Sequence, residues 1–329
     1  MIDFIFTIDY EIYGNGEGSL KDLVFEPTCQ LKKILDRENC KMVFFIEAAE
    51  LEKIEEAKSD PAIDSVKNQI KELHEKGHEI ALHLHPQWYN GTWKNGKWDL
   101  DYSEYNLCTL PETRINQIVE RAINYLRKIL CEPEYKPFSF RAGNWLFQPT
   151  QPAALILFNH GIRIDSSVFK GGLQHQTRLD YRRSLKNGYF WQFQDDVNEP
   201  AHTGYLIEIP IYTEMVPPWR MATKKRLALQ QKAATGRKTL RELIDRLRDL
   251  ARPFHPLKLD FCRMTFDELI TITNKIIRDD KFKPDEYKPI ATIGHTKDLT
   301  DFDTISLFLA HLKQNNIQIC TFKESNSRL

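Results

Sequence analysis

No two of the six cysteines, at positions 29, 40, 108, 131, 262 and 320, form a CxxC pair. A disulfide framework therefore has no basis in the sequence, and the pattern fits reduced, buried thiols. Neither sign of charge is in excess. Lysine plus arginine and aspartate plus glutamate number 46 each, which gives no support to bulk nucleic-acid binding. Apolar runs are short, and none approaches the ~20 residues that span a bilayer. The opening "MIDFIFTIDYEIYG" lacks a basic region followed by a long apolar run and a small-residue cleavage site. A protein without a signal peptide or membrane span, residing in the cytoplasm, is the expectation. Internal repeats and low-complexity tracts are also missing.

What is there is alternation. Short β-rich runs occur at 2–9, 41–47, 78–85, 137–142, 161–167, 205–211, 288–295 and 317–322. Helical patterns lie between them at 28–37, 62–77, 112–130, 151–160, 265–279 and 302–314. Strand–helix alternation predicts an α/β fold with a parallel sheet and crossover helices. Eight runs within 329 residues favour a closed or nearly closed (β/α) barrel of about seven to eight strands, as one domain over 1–329. Two regions break the rhythm. Residues 86–111 form a loop rich in Trp, Tyr, Asn and Gly, and 212–260 carry a basic helical insertion before the last strands. The "KKR" cluster (224–226) and "RELIDRLRDL" (241–250) within it read as a solvated helix face.

The polar residues of two strands share a pattern. Side chains alternate faces with period two. In 2–11, Asp3, Ile5, Thr7, Asp9 and Glu11 share one face, and Ile2, Phe4, Phe6, Ile8 and Tyr10 the other. In "EIALHLHPQW" (79–88), His83 and His85 share a face with Ala81, and Pro86 ends the strand because it has no N–H for a ladder. If the large apolar sets pack on outer helices, Asp9, Glu11, His83 and His85 all look into the barrel at its C-terminal rim, where barrel active sites are built. Two carboxylates and two imidazoles there suit a borderline divalent cation, zinc most readily, with manganese, cobalt or nickel as alternatives. A strand-end histidine taken alone is more often a hydrogen-bonded surface or core residue. The pairing of HxH with DxE is what favours metal.

These segments resemble the polysaccharide deacetylases with the NodB homology fold, a group like carbohydrate esterase family 4. "FTIDYE" (6–11), "VFFIEAAEL" (43–51), "GHEIALHLHP" (77–86), "FRAGNW" (140–145), "IDSSV" (164–168), "IEIPIY" (207–212) and "IGHTKDL" (293–299) match that family's motifs in order. The resemblance implies a distorted barrel and metal-dependent hydrolysis of an N-acetyl, less often O-acetyl, group on a sugar. It implies Asp9 as catalytic base, Glu11 and His83 as metal ligands, Arg141 orienting Asp9, His295 as general acid, and Asp165 tethering one of these, His295 foremost. Tyr10 stands where the family has a second aspartate, and Gln87 where it has a second histidine, so His85 takes that ligand's role. Trp88, Trp145 and Asn144 are the expected substrate contacts, with Trp93 and Trp98 as further candidates for a sugar-stacking platform. The expected substrate is an acetylated sugar, an oligosaccharide, or a lipid- or nucleotide-linked precursor of a surface polysaccharide. Two rival readings are a metal-dependent hydrolase of a non-sugar amide and a non-catalytic sugar-binding relative.

Overall fold

The first apolar run is two strands, divided at Phe6. A computed structural model describes residues 1–184, 190–233 and 252–329. In it, β1 (Ile2–Ile5) belongs to one sheet and β2 (Thr7–Tyr10) to another. The chain changes partners there: the Phe6 carbonyl accepts from Val43 N–H at 2.9 Å, which starts the pairing of the second strand. The chain continues through α1 (Glu26–Glu38), β3 (Val43–Glu47), α2 (Ala48–Ala57), α3 (Ile63–Glu75) and β4 (Glu79–Leu84). A hairpin of β5 (Thr92–Lys94) and β6 (Lys97–Asp99) lies in the loop that follows, before α4 (Glu112–Leu130). Next come β7 (Ser139–Ala142), α5 (Ala153–Asn159), β8 (Ile164–Asp165), β9 (Leu173–Gln174), β10 (Leu179–Asp180), β11 (Trp191–Phe193) and β12 (Leu206–Glu208). The last part holds β13 (Thr213–Val216), α6 (Lys224–Ala233), β14 (His255–Lys258), α7 (Phe266–Asp280), β15 (Lys288–Ala291), α8 (Phe302–Gln314) and β16 (Gln318–Ile319).

The main sheet has seven strands in the order β11-β12-β8-β7-β4-β3-β2, parallel except for β11. A smaller parallel sheet, β15-β1-β16, stands beside its β2 edge. Single bridges carry the curve on: Ile211 meets both Phe169 and Ala291, and Asp9 meets His295. The expected distorted barrel is thus present in outline, although no continuous ladder runs right round it among the described residues.

Two apolar layers follow from the period-two pattern. Phe4, Phe6, Ile8, Tyr10, Phe44, Ile46, Ile80 and Leu82 pack outward under the helices. Ile5, Val43, Phe45, Ala81, Ile164, Ile209, Ala291 and Phe322 fill the barrel interior. The outer layer is met by helix faces such as Ile115, Val119, Ala122 and Leu126 of α4, spaced three and four apart. Each such large side chain contributes about 1.5–3 kcal/mol by burial. α7 opens with a reciprocal cap, in which Thr265 accepts from Glu268 N–H and Glu268 reaches back to Thr265 N–H.

Three expectations change. α2 was not foreseen, because it begins directly at the end of β3: Glu47 closes the strand and its carboxylate caps the helix by accepting from Glu50 N–H. The span 212–260 is not simply helical, since β13 and β14 at its two ends pair as an antiparallel ribbon. The "KKR" cluster is not a solvated face. Arg226 is buried in a two-bonded pair with Glu268, and Lys225 holds Asp301 at 2.9 Å. "RELIDRLRDL" lies outside the described residues.

Candidate active site and metal centre

Strand ends supply the site. Thr7 and Asp9 of β2, Phe45 and Glu47 of β3, Ala81 and His83 of β4, and Arg141 of β7 face the same interior, at the C-terminal end of the sheet. Register fixes the neighbours: Asp9 is level with Phe45, Glu47 with His83, and His83 with Arg141. The residues just beyond the strands, Glu11, His85 and Gly143, complete the rim. A Cβ on Gly143 would stand 2.8 Å from the His85 ring, so only glycine lets these two loops approach.

Glu11 is the centre of a cluster of candidate donor atoms. Its Oε2 lies 3.4 Å from His83 Nε2 and 3.1 Å from His85 Nε2, and its Oε1 takes Lys297 Nζ at 2.7 Å. Burial alone would raise the Glu11 carboxyl, but Lys297 and the two imidazoles hold it well below the ordinary range. His83 Nδ1 sits 2.8 Å from the Arg141 carbonyl, which accepts its proton and leaves Nε2 facing Glu11. Burial pulls His83 down, yet Asp9 and Glu11 outweigh it and raise the imidazole to about 9. Glu47 joins this group. Glu11, Glu47, His83 and His85 each offer a donor atom, all within 4.8 Å of one another, and all four are buried. Glu47 Oε2 is buried without a hydrogen-bond partner among the described residues, and burial lifts its carboxyl to about 7. An orphaned carboxylate oxygen beside two imidazoles and a second carboxylate is a donor set that fits a divalent cation.

Beside the ligand group stands Asp9. Arg141, wholly buried, donates from Nη1 to Asp9 Oδ1 at 2.6 Å, from Nη2 to Thr7 Oγ1 at 2.8 Å and from Nε to the Ser166 carbonyl at 2.9 Å. Burial works to raise Asp9, but Arg141, with His83 and His295 nearby, brings it below the usual carboxylate value. His295 Nε2 lies 3.5 Å from the other Asp9 oxygen. Burial drives His295 down to about 4, so at neutral pH its imidazole is uncharged.

The other expected site residues fall out differently. Asp165 does not reach His295: it accepts from the Ser167 hydroxyl at 2.7 Å and lies against Glu208, both carboxyls being pushed up by burial. The acid beside His295 is Asp298, whose Oδ2 is 3.7 Å from Nδ1 and is held by Arg263. Trp88 is fully buried, edge-on to Trp98 at 5.2 Å, and offers no face to a ligand. Trp145 is half-exposed with its ring 6.5 Å from His295. Asn144, in left-handed backbone (φ 54°), sets its side-chain amide 3.1 Å from His85 Nδ1. Glu47 and Lys297 were missed. Glu47 was legible, since Val43, Phe45 and Glu47 alternate onto the inward face. Lys297 had no such signal, because it lies in a short 3₁₀ turn after β15.

No protein-family profile and no curated protein matches the sequence. Solved structures do match. A protein designated a polysaccharide deacetylase from Mycobacterium smegmatis superposes with a TM-score of 0.54 at 14% identity, over 99% of this chain and 89% of its own. One so designated from Pseudomonas aeruginosa PAO1 gives 0.53 at 12%, over 98% and 89%. The Puue allantoinase gives 0.53 at 13%, over 98% and 88%. At these identities the likeness concerns the backbone. With the parallel sheet, it gives this chain a NodB-like (β/α) barrel fold, which these two deacetylases and the allantoinase share.

Proposed function

We propose that this protein is a metal-dependent deacetylase that hydrolyses the N-acetyl group of a sugar or glycan precursor. The observation that supports this best is the adjacency of two groups: Glu11, His83 and His85 around one point, and Asp9 gripped by Arg141 beside it. A divalent cation held by Glu11, His83 and His85, with Glu47 as a fourth donor, would polarise the amide carbonyl and acidify water. Zinc is the first choice for this donor set. Asp9, kept ionised by Arg141, takes the proton of the attacking water. His295 rests neutral and within reach of the Asp9 carboxylate, so it can receive that proton and pass it to the departing nitrogen. The C–N bond then breaks to acetic acid and an amine, and the acid's remaining proton passes to the amine or to solvent, which accounts for both protons of the water. Lys297 occupies one Glu11 oxygen and leaves the other toward the imidazoles. The test is elemental analysis of purified protein paired with acetate release from N-acetylhexosamine compounds. A metal-free protein that binds glycans without releasing acetate would support a non-catalytic reading, and release from non-sugar amides alone would move the substrate class.

Metal binding has a pH signature. His83 at about 9 carries a proton at neutral pH in the chelated protein, and a metal must displace it. Apparent affinity should therefore rise about tenfold per pH unit from 7 to 9 and then level off. Competition against a chromophoric chelator across this range reads it directly, and a flat profile would count against His83 as a ligand.

Glu47→Gln separates two roles. As a donor, Glu47 should be missed: metal affinity falls by about tenfold or more. The chelated variant should nonetheless melt higher than the chelated parent at pH 8. A carboxyl raised to about 7 costs stability increasingly as pH rises above its unfolded value, up to about 7. At pH 4 both forms are neutral and the two should melt alike.

A further inference from the structure

Lys258 is a cation at the rim that the chemistry above does not use. It is the last residue of β14, in the ribbon at the end of the insertion. Its ammonium lies 4.0 Å from the centroid of the Trp145 ring and 4.5 Å from that of Phe169. Among the described residues no carboxylate comes within ion-pair distance of it, and no acceptor takes a hydrogen bond from it. The neighbouring cations are all engaged: Arg141 with Asp9, Lys297 with Glu11, and Arg263 with Asp298. Asp260, two residues on, uses Oδ1 to accept from the Cys262 and Arg263 N–H groups.

A half-buried ammonium set against ring faces, with Asp260 and Asp9 acting on it only through space, is short of hydrogen bonds. Cation–π contact offsets part of its lost hydration and fixes its place, but leaves N–H donors free. That place is significant. The Trp145 ring that Lys258 touches is also 6.5 Å from the His295 ring and 5.7 Å from the Arg141 guanidinium carbon. We propose that Lys258 receives an anionic group of the substrate, a carboxylate or a phosphate, at the Trp145 ring beside the place where the amide is cleaved. This rests on the acetamido-sugar reading and narrows it to a negatively charged glycan. Burial lowers the Lys258 ammonium to about 8, so it is still charged at neutral pH and gains from an oxyanion.

Binding rather than turnover tests the idea. Titration calorimetry would compare methyl glucuronide (carboxylate), glucose 1-phosphate (phosphate) and uncharged methyl glucoside, for the parent, Lys258→Met and Lys258→Arg. The parent should bind at least one anionic sugar about tenfold more tightly than methyl glucoside, the effect of one charge-assisted hydrogen bond. That preference should collapse to about twofold or less in Lys258→Met and return in Lys258→Arg. Which anion is preferred identifies the source of the charge. If Lys258→Met proves unstable in a melt, Lys258→Gln repeats the comparison. The proposal is overturned if the parent makes no distinction, or if the preference survives without the ammonium. Acetate release is scored separately, so failure of the deacetylase reading would appear as no release with the charge preference intact.

Discussion

On the proposed mechanism, Asp9→Asn should lower acetate release by about 10²- to 10⁴-fold while the metal stays bound, the range expected for removing a general base. The split follows from the geometry. Asp9 gives one oxygen to Arg141 and turns the other to His295; with Glu11 and His295 it forms a second group of donor atoms, but the four-donor group is Glu11, Glu47, His83 and His85. The amide of asparagine is nearly the same size and can still accept from Arg141, so the pocket keeps its shape. It cannot take a proton from water. His83→Ala is the complementary variant. It deletes an imidazole that faces Glu11 at 3.4 Å, and metal content and turnover should vanish together. Elemental analysis and an acetate assay on both proteins check the pair. If Asp9→Asn lost its metal, or if either variant worked like the parent, the assignment of base and ligand would be wrong.

Arg141→Met should be the most damaging single change to stability, at about 3–5 kcal/mol, because it strands a buried charge. Asp9 is 2% exposed and depends on Arg141 to remain ionised. The sign follows from linkage. A carboxyl whose folded pKa is depressed contributes stability above its unfolded value, and that contribution disappears as pH falls through the folded one. Without Arg141 it is missing at neutral pH, and the acid limb of any activity profile moves upward. The control is the double variant. Adding Asp9→Asn to Arg141→Met removes the stranded charge and should recover part of the lost stability in denaturant melts. If the double variant were as unstable as the sum of the singles, the two residues would not be coupled as described.

Alternation along β2 and β4 made the DxE and HxH pairs legible, because period two assigns faces without knowledge of which strands are neighbours. Register then set their separation. Arg141 was legible through its motif. The partners of His295 were not, because a tether depends on which loops meet at the rim. Asp165 stays with Ser167 and Glu208 on its own side of the sheet, and Asp298 takes the place beside the imidazole. Tryptophan was ambiguous for a different reason. Trp88 and Trp145 have the same chemistry, and only packing decides that one is core and the other rim. In the insertion, net positive charge suggested solvent, but Arg226 finds Glu268 on a helix 42 positions away, which no local pattern announces.

The partner change at Phe6 also bears on how the molecule comes together. Strands from opposite ends of the polypeptide zip against each other, Asp9 with His295 and Glu11 with Lys297, 286 positions apart. Such distant pairings are slow to form. Asp9, His295 and Glu11 meet only when this seam closes, so a nascent or partly folded chain carries the histidine doublet without Glu11 and Asp9 in register with their C-terminal partners. Hydrolytic competence should lag behind helix formation during refolding, and the appearance of activity would time the closing of the seam.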